Sequence, residues 1–360
     1  MSLPSTRRVV VKVGTGVVAR GDGGLALGRM GALVEQLHDL RSRDIDVLLV
    51  SSGAVGLGAR RLGFSERSQV RGVVDRQACA AAGQGALMAF YDSLFQRLGT
   101  TCAQVLLTEE DFHFRQRFNN LTATLERLLR LGAVPILNEN DTLSTAELAL
   151  SQGPERGSVF GDNDRLSALV ATYLRADLLV LLSNVDAVYT APPGTEGARP
   201  IRVFTDETHF VEGAASSVGR GGMGSKIEAA RLAARGGVTA VIASGDERDI
   251  LQKVLDGESV GTRFQAHGDA GRLPRKKAWL AFATGAAVAT VQVNAGARLA
   301  LVERGASLLS VGVERVDGAF SEGDVVDIVH DGELLARGLA TAGMLDADRL
   351  LVHRDHLVLL

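Results

Sequence analysis

The chain has 360 residues, 46% of them apolar, and a mean hydropathy of +0.13, which points to well-filled cores and excludes a largely disordered chain. Against 42 acidic residues there are 39 basic ones, a net charge of −3, so one broad cationic surface for nucleic acid or anionic lipid is not expected. Two cysteines, Cys79 and Cys102, are too few for a disulfide framework or a metal knot.

No apolar run of signal-peptide length precedes the first glycine. The greasiest later stretch, Ala278 to Val293, is interrupted by Thr284, Gly285, Thr290 and Gln292 and is too short to span a bilayer. The expectation is a cytoplasmic protein with no membrane association.

In chain order, Val9 to Val13 is a β-branched run predicting a buried strand that stops at Gly14-Thr15-Gly16. The spacing Leu27, Met30, Leu33, Val34, Leu37, Leu40 predicts a helix. Val47 to Val50 is a second strand, followed by Ser51-Ser52-Gly53-Ala54-Val55-Gly56. Arg76 to Leu98 reads as a long helix whose middle is weakened by Gly83 and Gly85. Val105 to Leu107 is a strand, and Thr108 with Asp111 predicts a capped turn. A helix face at Leu121, Leu125, Leu128 and Leu129 leads to the strand Val134 to Leu137 and then Asn138-Glu139-Asn140-Asp141.

Gly161-Asp162-Asn163-Asp164 opens a helix over Leu166 to Leu174, and Leu178 to Leu182 is a strand ending at Ser183-Asn184. Tyr189 to Arg202 reads as a surface loop or hairpin. Ser225 to Arg235 is a helix with a capping box of Ser225 and Glu228, and Thr239 to Ala243 a strand before a helix at Ile250 to Leu255. Alternating strands and helices imply an α/β domain around a mostly parallel sheet, with ligands at the carboxyl ends of its strands. Residues 1–264 form this domain and 265–276 a linker. Residues 277–360 form a small β-rich domain, with strands expected at Ala287 to Val293, Val311 to Val316, Val325 to Val329 and Leu350 to His353, and a helix at Ala297 to Arg304.

Neither Gly14-Thr15-Gly16, with Ala19 where a third glycine belongs, nor Gly53 to Gly58 fits a dinucleotide fingerprint. Gly219 to Lys226 has the G-x-x-x-x-G of a P-loop but then Ser225-Lys226 in reversed order. Small residues ahead of a helix with a lysine in its first turn make either a phosphate cradle or only a tight loop-to-helix junction. Lys226 is one of five lysines, and Lys12 is another, near the end of the first strand. There an ammonium group either snorkels to solvent or faces a transferring phosphoryl group. Asp162 and Asp164 either cap a helix or organise those cations, and Asn138 to Asp141 either binds the amine of a small substrate or is solvated loop. Ser52, beside a permissive turn, is read as a ligand-binding hydroxyl in preference to plain loop structure. Neither acidic cluster supplies the ligands of a metal cage, so no protein metal site is expected and Mg²⁺ arrives with a nucleotide. The seven histidines have no metal-ligand spacing with the cysteines.

Taken together, Val11-Lys12-Val13-Gly14, Val50 to Val55, Gln77-Ala78 through Gly83-Gln84, Gln104 to Thr108, Pro135 to Asp141, Gly161 to Asp164 and Gly221-Gly222-Met223 through Lys226 resemble the glutamate 5-kinase family of the amino acid kinase superfamily. The tail resembles that family's PUA domain at Gly305 to Leu309, Phe320, Gly323 to Val326 and Arg337-Gly338, and is shorter near 339–350. The resemblance implies a three-layer α/β/α kinase fold and ATP-dependent phosphorylation of the side-chain carboxylate of L-glutamate, the first step of proline biosynthesis. It implies that Lys12 and Lys226 stabilise the transferring group and Asp164 organises them. Ser52, Asp141, Asp162 and Asn163 would hold glutamate. Gly14, Ser183, Asn184 and the run Gly221, Gly222, Met223, Gly224, Ser225, Lys226 would hold ATP, with Mg²⁺ on the nucleotide.

Proline as feedback inhibitor and a homodimer or homotetramer are implied in the same way. The chain departs from the family pattern at Gly16, Arg220, Gly224-Ser225 and Asn184. The alternatives are another amino acid kinase, acting on N-acetylglutamate or aspartate, or an RNA-binding regulator with an impaired kinase site. Residues 265–360 carry 10 basic and 12 acidic side chains, 10 − 12 = −2, and the cluster Arg272, Arg275, Lys276, Lys277 is read as a solvated linker, so RNA binding is not favoured.

Overall fold

The computed structural model describes residues 6–22, 24–64, 69–108, 110–142, 163–205, 208, 222–266, 274–282, 287–342 and 350–360. It divides into two compact units, one of 1–111 with 119–272 and one of 112–118 with 273–360.

The first unit is built on an eight-stranded sheet ordered β3-β4-β2-β1-β5-β9-β10-β8. Its strands are β1 (Arg8–Val13), β2 (Asp46–Ser51), β3 (Cys102–Leu107), β4 (Val134–Glu139), β5 (Leu178–Ser183), β8 (Val203–Phe204), β9 (Thr239–Ser244) and β10 (Thr262–Phe264). Those from β3 to β9 in the sheet run parallel, and only β10 pairs antiparallel to β9. The polar ends of β1, β2, β4 and β5 therefore share one edge. The hairpin expected within 189–202 is present as β6 (Val188–Tyr189) against β7 (Pro200–Ile201), tied down by Thr262, whose Oγ1 accepts from Val188 N and donates to Ile201 O.

Alternation along these strands explains the layers. Val9, Val11, Val13, Leu49, Ile136, Val180, Leu182 and Val241 face one core, which is filled by α2 (Leu27–Ser42), α4 (Gly72–Arg97) and α9 (Ile250–Leu255) through Leu37, Tyr91, Phe95 and Val254. Val10, Leu48, Val50, Leu179, Leu181 and Ile242 are buried on the other face, under α7 (Asn163–Tyr173) and α8 (Met223–Arg235). Both faces are covered, as a parallel sheet requires. The remaining helices of this stretch, among the described residues, are α1 (Thr15–Val18), α3 (Ala54–Arg61), α5 (Glu110–His113) and α6 (Arg115–Arg130). The capped turn at Thr108 forms, with Asp111 accepting from Thr108 N at 2.7 Å and from its hydroxyl at 3.0 Å.

Helix α3 is not predicted from its sequence, because Gly56 and Gly58 are poor helix formers. Its glycines have a packing reason. A Cβ on Gly58 would fall on the Cys79 carbonyl, and one on Gly83 would fall on the Ala54 carbonyl, so α3 and α4 cross backbone against backbone. Gly83, expected to weaken α4, is what lets α3 dock; Gly85 has nothing near its Cβ position.

In the second unit, a six-stranded sheet is ordered β12-β16-β15-β14-β11-β13. Its strands are β11 (Ala289–Val293), β12 (Leu308–Leu309), β13 (Val313–Asp317), β14 (Val325–His330), β15 (Glu333–Ala340) and β16 (Leu350–Leu359). Strand β15 is missed from sequence because Leu, Ala and Gly replace β-branched residues there. Asp331 and Gly332, both at positive φ, make the tight turn between β14 and β15. Helix α11 (Ala295–Arg304) is capped by Asn294, which accepts from Ala297 N at 2.8 Å. Helix α10 (Arg275–Phe282) begins inside the segment read as linker, so Lys276 and Lys277 sit on a helix. Trp279, 3% exposed, donates from Nε1 to the Phe112 carbonyl at 2.7 Å and lies 6.5 Å from the Phe118 ring. Residues 267–273, with Arg272, and 343–349 lie outside the described residues.

Candidate active site

Period-two alternation on β1 sends Lys12 to the α7–α8 face, between Val50 and Leu181 of the neighbouring strands. Helix α7 starts on that face with Asn163 and Asp164, and α8 starts nearby with Met223, Gly224, Ser225 and Lys226. The result is a buried ionic triad. Asp164 is fully buried, with one oxygen held by Lys12 Nζ and the other 3.2 Å from Lys226 Nζ; the two lysines are 3% and 6% exposed. Ser225 Oγ donates to the same Oδ2 at 2.9 Å. Burial by itself would raise the Asp164 pKa, but the ammonium groups of Lys12 and Lys226 and the hydrogen bonds outweigh it and hold the carboxylate well below its usual range.

Two cations on one anion leave a net charge of about +1 in a desolvated place, an arrangement that favours an incoming anion. The capping box expected of Ser225 and Glu228 does not form. The cap of α8 is Gly222, and Ser225 sits inside the first turn with its hydroxyl spent on Asp164 and the Gly222 carbonyl.

Asn163 links this triad to the ends of β2 and β4. Its Nδ2 donates to Ser52 Oγ at 3.0 Å and to Asn138 Oδ1 at 2.9 Å, while its Oδ1 is buried without a hydrogen-bond partner. Asn138 in turn donates to Gln84 Oε1 at 2.8 Å. Ser52, Asn138 and Asn163 are thus one polar cluster. The Asp141 carboxylate, close to that cluster in sequence, is pushed up to about 6 by burial, an effect the nearby Arg76 guanidinium opposes.

On the other side, Ser183 Oγ donates to Asn184 Oδ1 at 3.3 Å. Gly14 donates its N–H to the Leu182 carbonyl at 3.2 Å, so its peptide is committed to β5; a Cβ there would stand 3.8 Å from Lys12 Nζ. Gly16 and Asn184 are neighbours, 3.7 Å from the Gly16 Cβ position to Asn184 Cβ. Asp162 and Gly221 lie outside the described residues, as does Arg220.

With this geometry in place, residues 7–244 match the model of the Amino acid kinase family. The chain belongs to the amino acid kinase family. Residues 289–350 match the PUA domain. As a member of the amino acid kinase family, the chain is 42% identical to the glutamate 5-kinase of Moorella thermoacetica, over 100% of this chain and 98% of that protein. It is 42% identical to the glutamate 5-kinase of Gloeobacter violaceus, over 97% of this chain and 92% of that protein. A delta-1-pyrroline-5-carboxylate synthase of Solanum lycopersicum is 46% identical over 74% of this chain and 38% of its own length.

Two residues of this amino acid kinase site were not predicted from sequence. Gln84 and Arg76 both lie on α4, one orienting Asn138 and the other facing Asp141 and Glu139. Nothing local marks them, since a polar residue on a long helix is ordinarily solvated. Among the described residues no helix is long and apolar enough to cross a membrane.

Proposed function

We propose that the chain transfers the γ-phosphoryl group of ATP to the side-chain carboxylate of L-glutamate, giving L-glutamyl 5-phosphate. The observation that carries this reading is the pair of buried lysines, Lys12 and Lys226, on the two oxygens of buried Asp164. The acceptor carboxylate is ionised near neutral pH, so no general base is needed. What the reaction requires is in-line alignment and neutralisation of charge on the transferring oxygens. Lys12 and Lys226 supply that charge from opposite directions, one from a strand and one from a helix. Asp164 keeps the two ammonium groups at a fixed separation. Ser225 orients Asp164 in turn.

Glutamate is held at the ends of β2 and β4. Asn163 Oδ1 and the Asp141 carboxylate are acceptors for its ammonium group, and Ser52 completes the described part of the pocket. The nucleotide lies toward Ser183, Asn184 and the first turn of α8, where residues 222–226 approach its phosphates.

One carboxylate already spanned by two ammonium groups is not a metal-binding donor set. Mg²⁺ in this reading belongs to ATP and not to the protein.

The test is hydroxylamine trapping of the acyl phosphate with Mg-ATP and L-glutamate. Hydroxamate that depends on glutamate and is lost in Lys12→Ala and Lys226→Ala is the expected result. Hydroxamate from N-acetylglutamate or aspartate alone would keep the chemistry and overturn the substrate. Proline added to the same assay tests its place as a competitor in the glutamate pocket.

A further inference from the structure

The polar cluster at the ends of β2 and β4 has a direction, and backbone groups set it. Asn138 Oδ1 accepts from the Glu139 N–H at 2.9 Å and from Asn163 Nδ2 at 2.9 Å. A backbone N–H can only donate, so the Asn138 amide cannot be turned over without setting donor against donor. Its Nδ2 then needs an acceptor, and Gln84 Oε1 supplies one at 2.8 Å. Asn163 is fixed by the same logic. Its Nδ2 meets Asn138 Oδ1, Ser52 Oγ at 3.0 Å and, at 3.4 Å, the Ser51 carbonyl. That leaves Asn163 Oδ1, which is buried without a hydrogen-bond partner.

Gln84 ends this relay on α4, next to Gly83, where α4 meets α3 backbone against backbone. A helix docked that closely cannot slide, so Gln84 offers its acceptor from a fixed point. Asn138 is only 3% exposed, and without Gln84 its amino group would be buried and unpaired. The amide would regain a partner by swinging out of place, carrying Oδ1 away from Asn163. Asn163 would then lose the contact that holds its own amide.

A buried acceptor of fixed polarity with no partner selects a ligand that brings a donor. We infer that Gln84 is a positioning residue for substrate selectivity. Acting only through Asn138, it holds Asn163 Oδ1 toward the bound acid, and so makes the pocket prefer a dicarboxylate bearing an ammonium group over the same dicarboxylate without one. This rests on the proposed place of glutamate at the ends of β2 and β4.

The probes are L-glutamate and glutarate, which differ by the ammonium group alone, titrated calorimetrically into the full chain beside the hydroxylamine assay. The wild type should bind L-glutamate about tenfold or more tighter than glutarate. Gln84→Leu should weaken L-glutamate about tenfold and leave glutarate within about twofold, with the kinetic loss carried by the KM for glutamate and not by kcat. Gln84→Glu keeps an acceptor at the same reach and should restore the preference. A merely structural role would instead weaken both acids alike, or raise the KM for ATP together with that for glutamate. Gln84→Met takes the place of Gln84→Leu if the latter does not fold. Failure of the wild type to bind L-glutamate more tightly than glutarate, an undiminished preference in Gln84→Leu, equal loss of both acids, or a folded Gln84→Glu that behaves like Gln84→Leu would each overturn the inference. Hydroxamate formation separates this from the reading it rests on. The preference without hydroxamate would overturn phosphoryl transfer and leave Gln84 its role; hydroxamate with the preference intact in Gln84→Leu would do the reverse.

Discussion

Lys226 places its Nζ 3.2 Å from Asp164 Oδ2, across 62 residues of sequence, and its chain neighbour Ser225 donates to the same oxygen at 2.9 Å. Two successive residues at the start of a helix thus converge on one buried carboxylate. In the proposed reaction, removing either lysine takes away charge needed in the transition state. Lys12→Ala and Lys226→Ala are each expected to lower kcat by about 10²- to 10³-fold, with a far smaller effect on the KM for glutamate. The double variant should fall little further, because the two act on one group. Steady-state kinetics checks this; a multiplicative loss would count against a shared role.

Stability should depend on Asp164 in one direction only. Its pKa is lowered on folding, so its contribution is fully present above the ordinary carboxylate value of about 3.9 and is lost as pH falls below that toward the lowered value. Asp164→Asn leaves two buried ammonium groups without their anion and should cost about 3–5 kcal/mol at pH 7. Urea unfolding of both proteins should give a constant difference from pH 5 to 8 and a shrinking one below about pH 4.

Asp141 behaves in the opposite sense. Its carboxyl is pushed up to about 6, so it is mostly ionised at pH 7 and mostly protonated at pH 5. If it binds the substrate's ammonium group, the KM for glutamate should rise about tenfold between those values. In Asp141→Asn that pH dependence should disappear while KM is raised throughout. A wild-type KM flat across the range would remove Asp141 from the pocket.

Glycine substitutions on α4 should divide sharply. Gly83→Ala drives a methyl group into the Ala54 carbonyl and should destabilise by about 3 kcal/mol or more, with Gly58→Ala similar. Gly85→Ala meets nothing within 4 Å on an exposed stretch of the same helix and should stabilise by about 0.5–1 kcal/mol. Thermal unfolding of the three variants checks both signs.

Asn163 gives a test of substrate geometry. Asn163→Ala removes the donor shared by Ser52 and Asn138 and the unpartnered Oδ1. The KM for glutamate should rise at least tenfold with the KM for ATP nearly unchanged. Equal effects on both would place Asn163 in general support of the fold.

The parts of this site that were legible in the sequence are those with a local signature. Lys12 stands out because a lysine interrupts a valine strand next to a glycine turn, and Lys226 because small residues precede it at a helix start. Asp164 is marked by its place in Gly161-Asp162-Asn163-Asp164. What could not be read is the company each one keeps. Ser225 looks like a helix cap by its spacing to Glu228, yet its hydroxyl turns to a carboxylate brought in by another helix. Gln84 and Arg76 acquire roles only when α4 is laid across the ends of β4. Helix α3 was hidden for a related reason, since the glycines that lower its propensity are those its partner helix demands.

The bond from Trp279 to Phe112 has a consequence for dissection of the chain. Phe112–Phe118 belongs with the C-terminal unit although the chain on either side of it belongs with the first. The C-terminal unit is therefore assembled from two stretches of chain that are far apart in sequence. A protease cut or stop codon near residue 265 would leave Phe112 and Phe118, now buried, without Trp279 over them. The truncated kinase half would carry a newly bared greasy patch. Its insolubility would then report the loss of part of one unit and say nothing about catalysis.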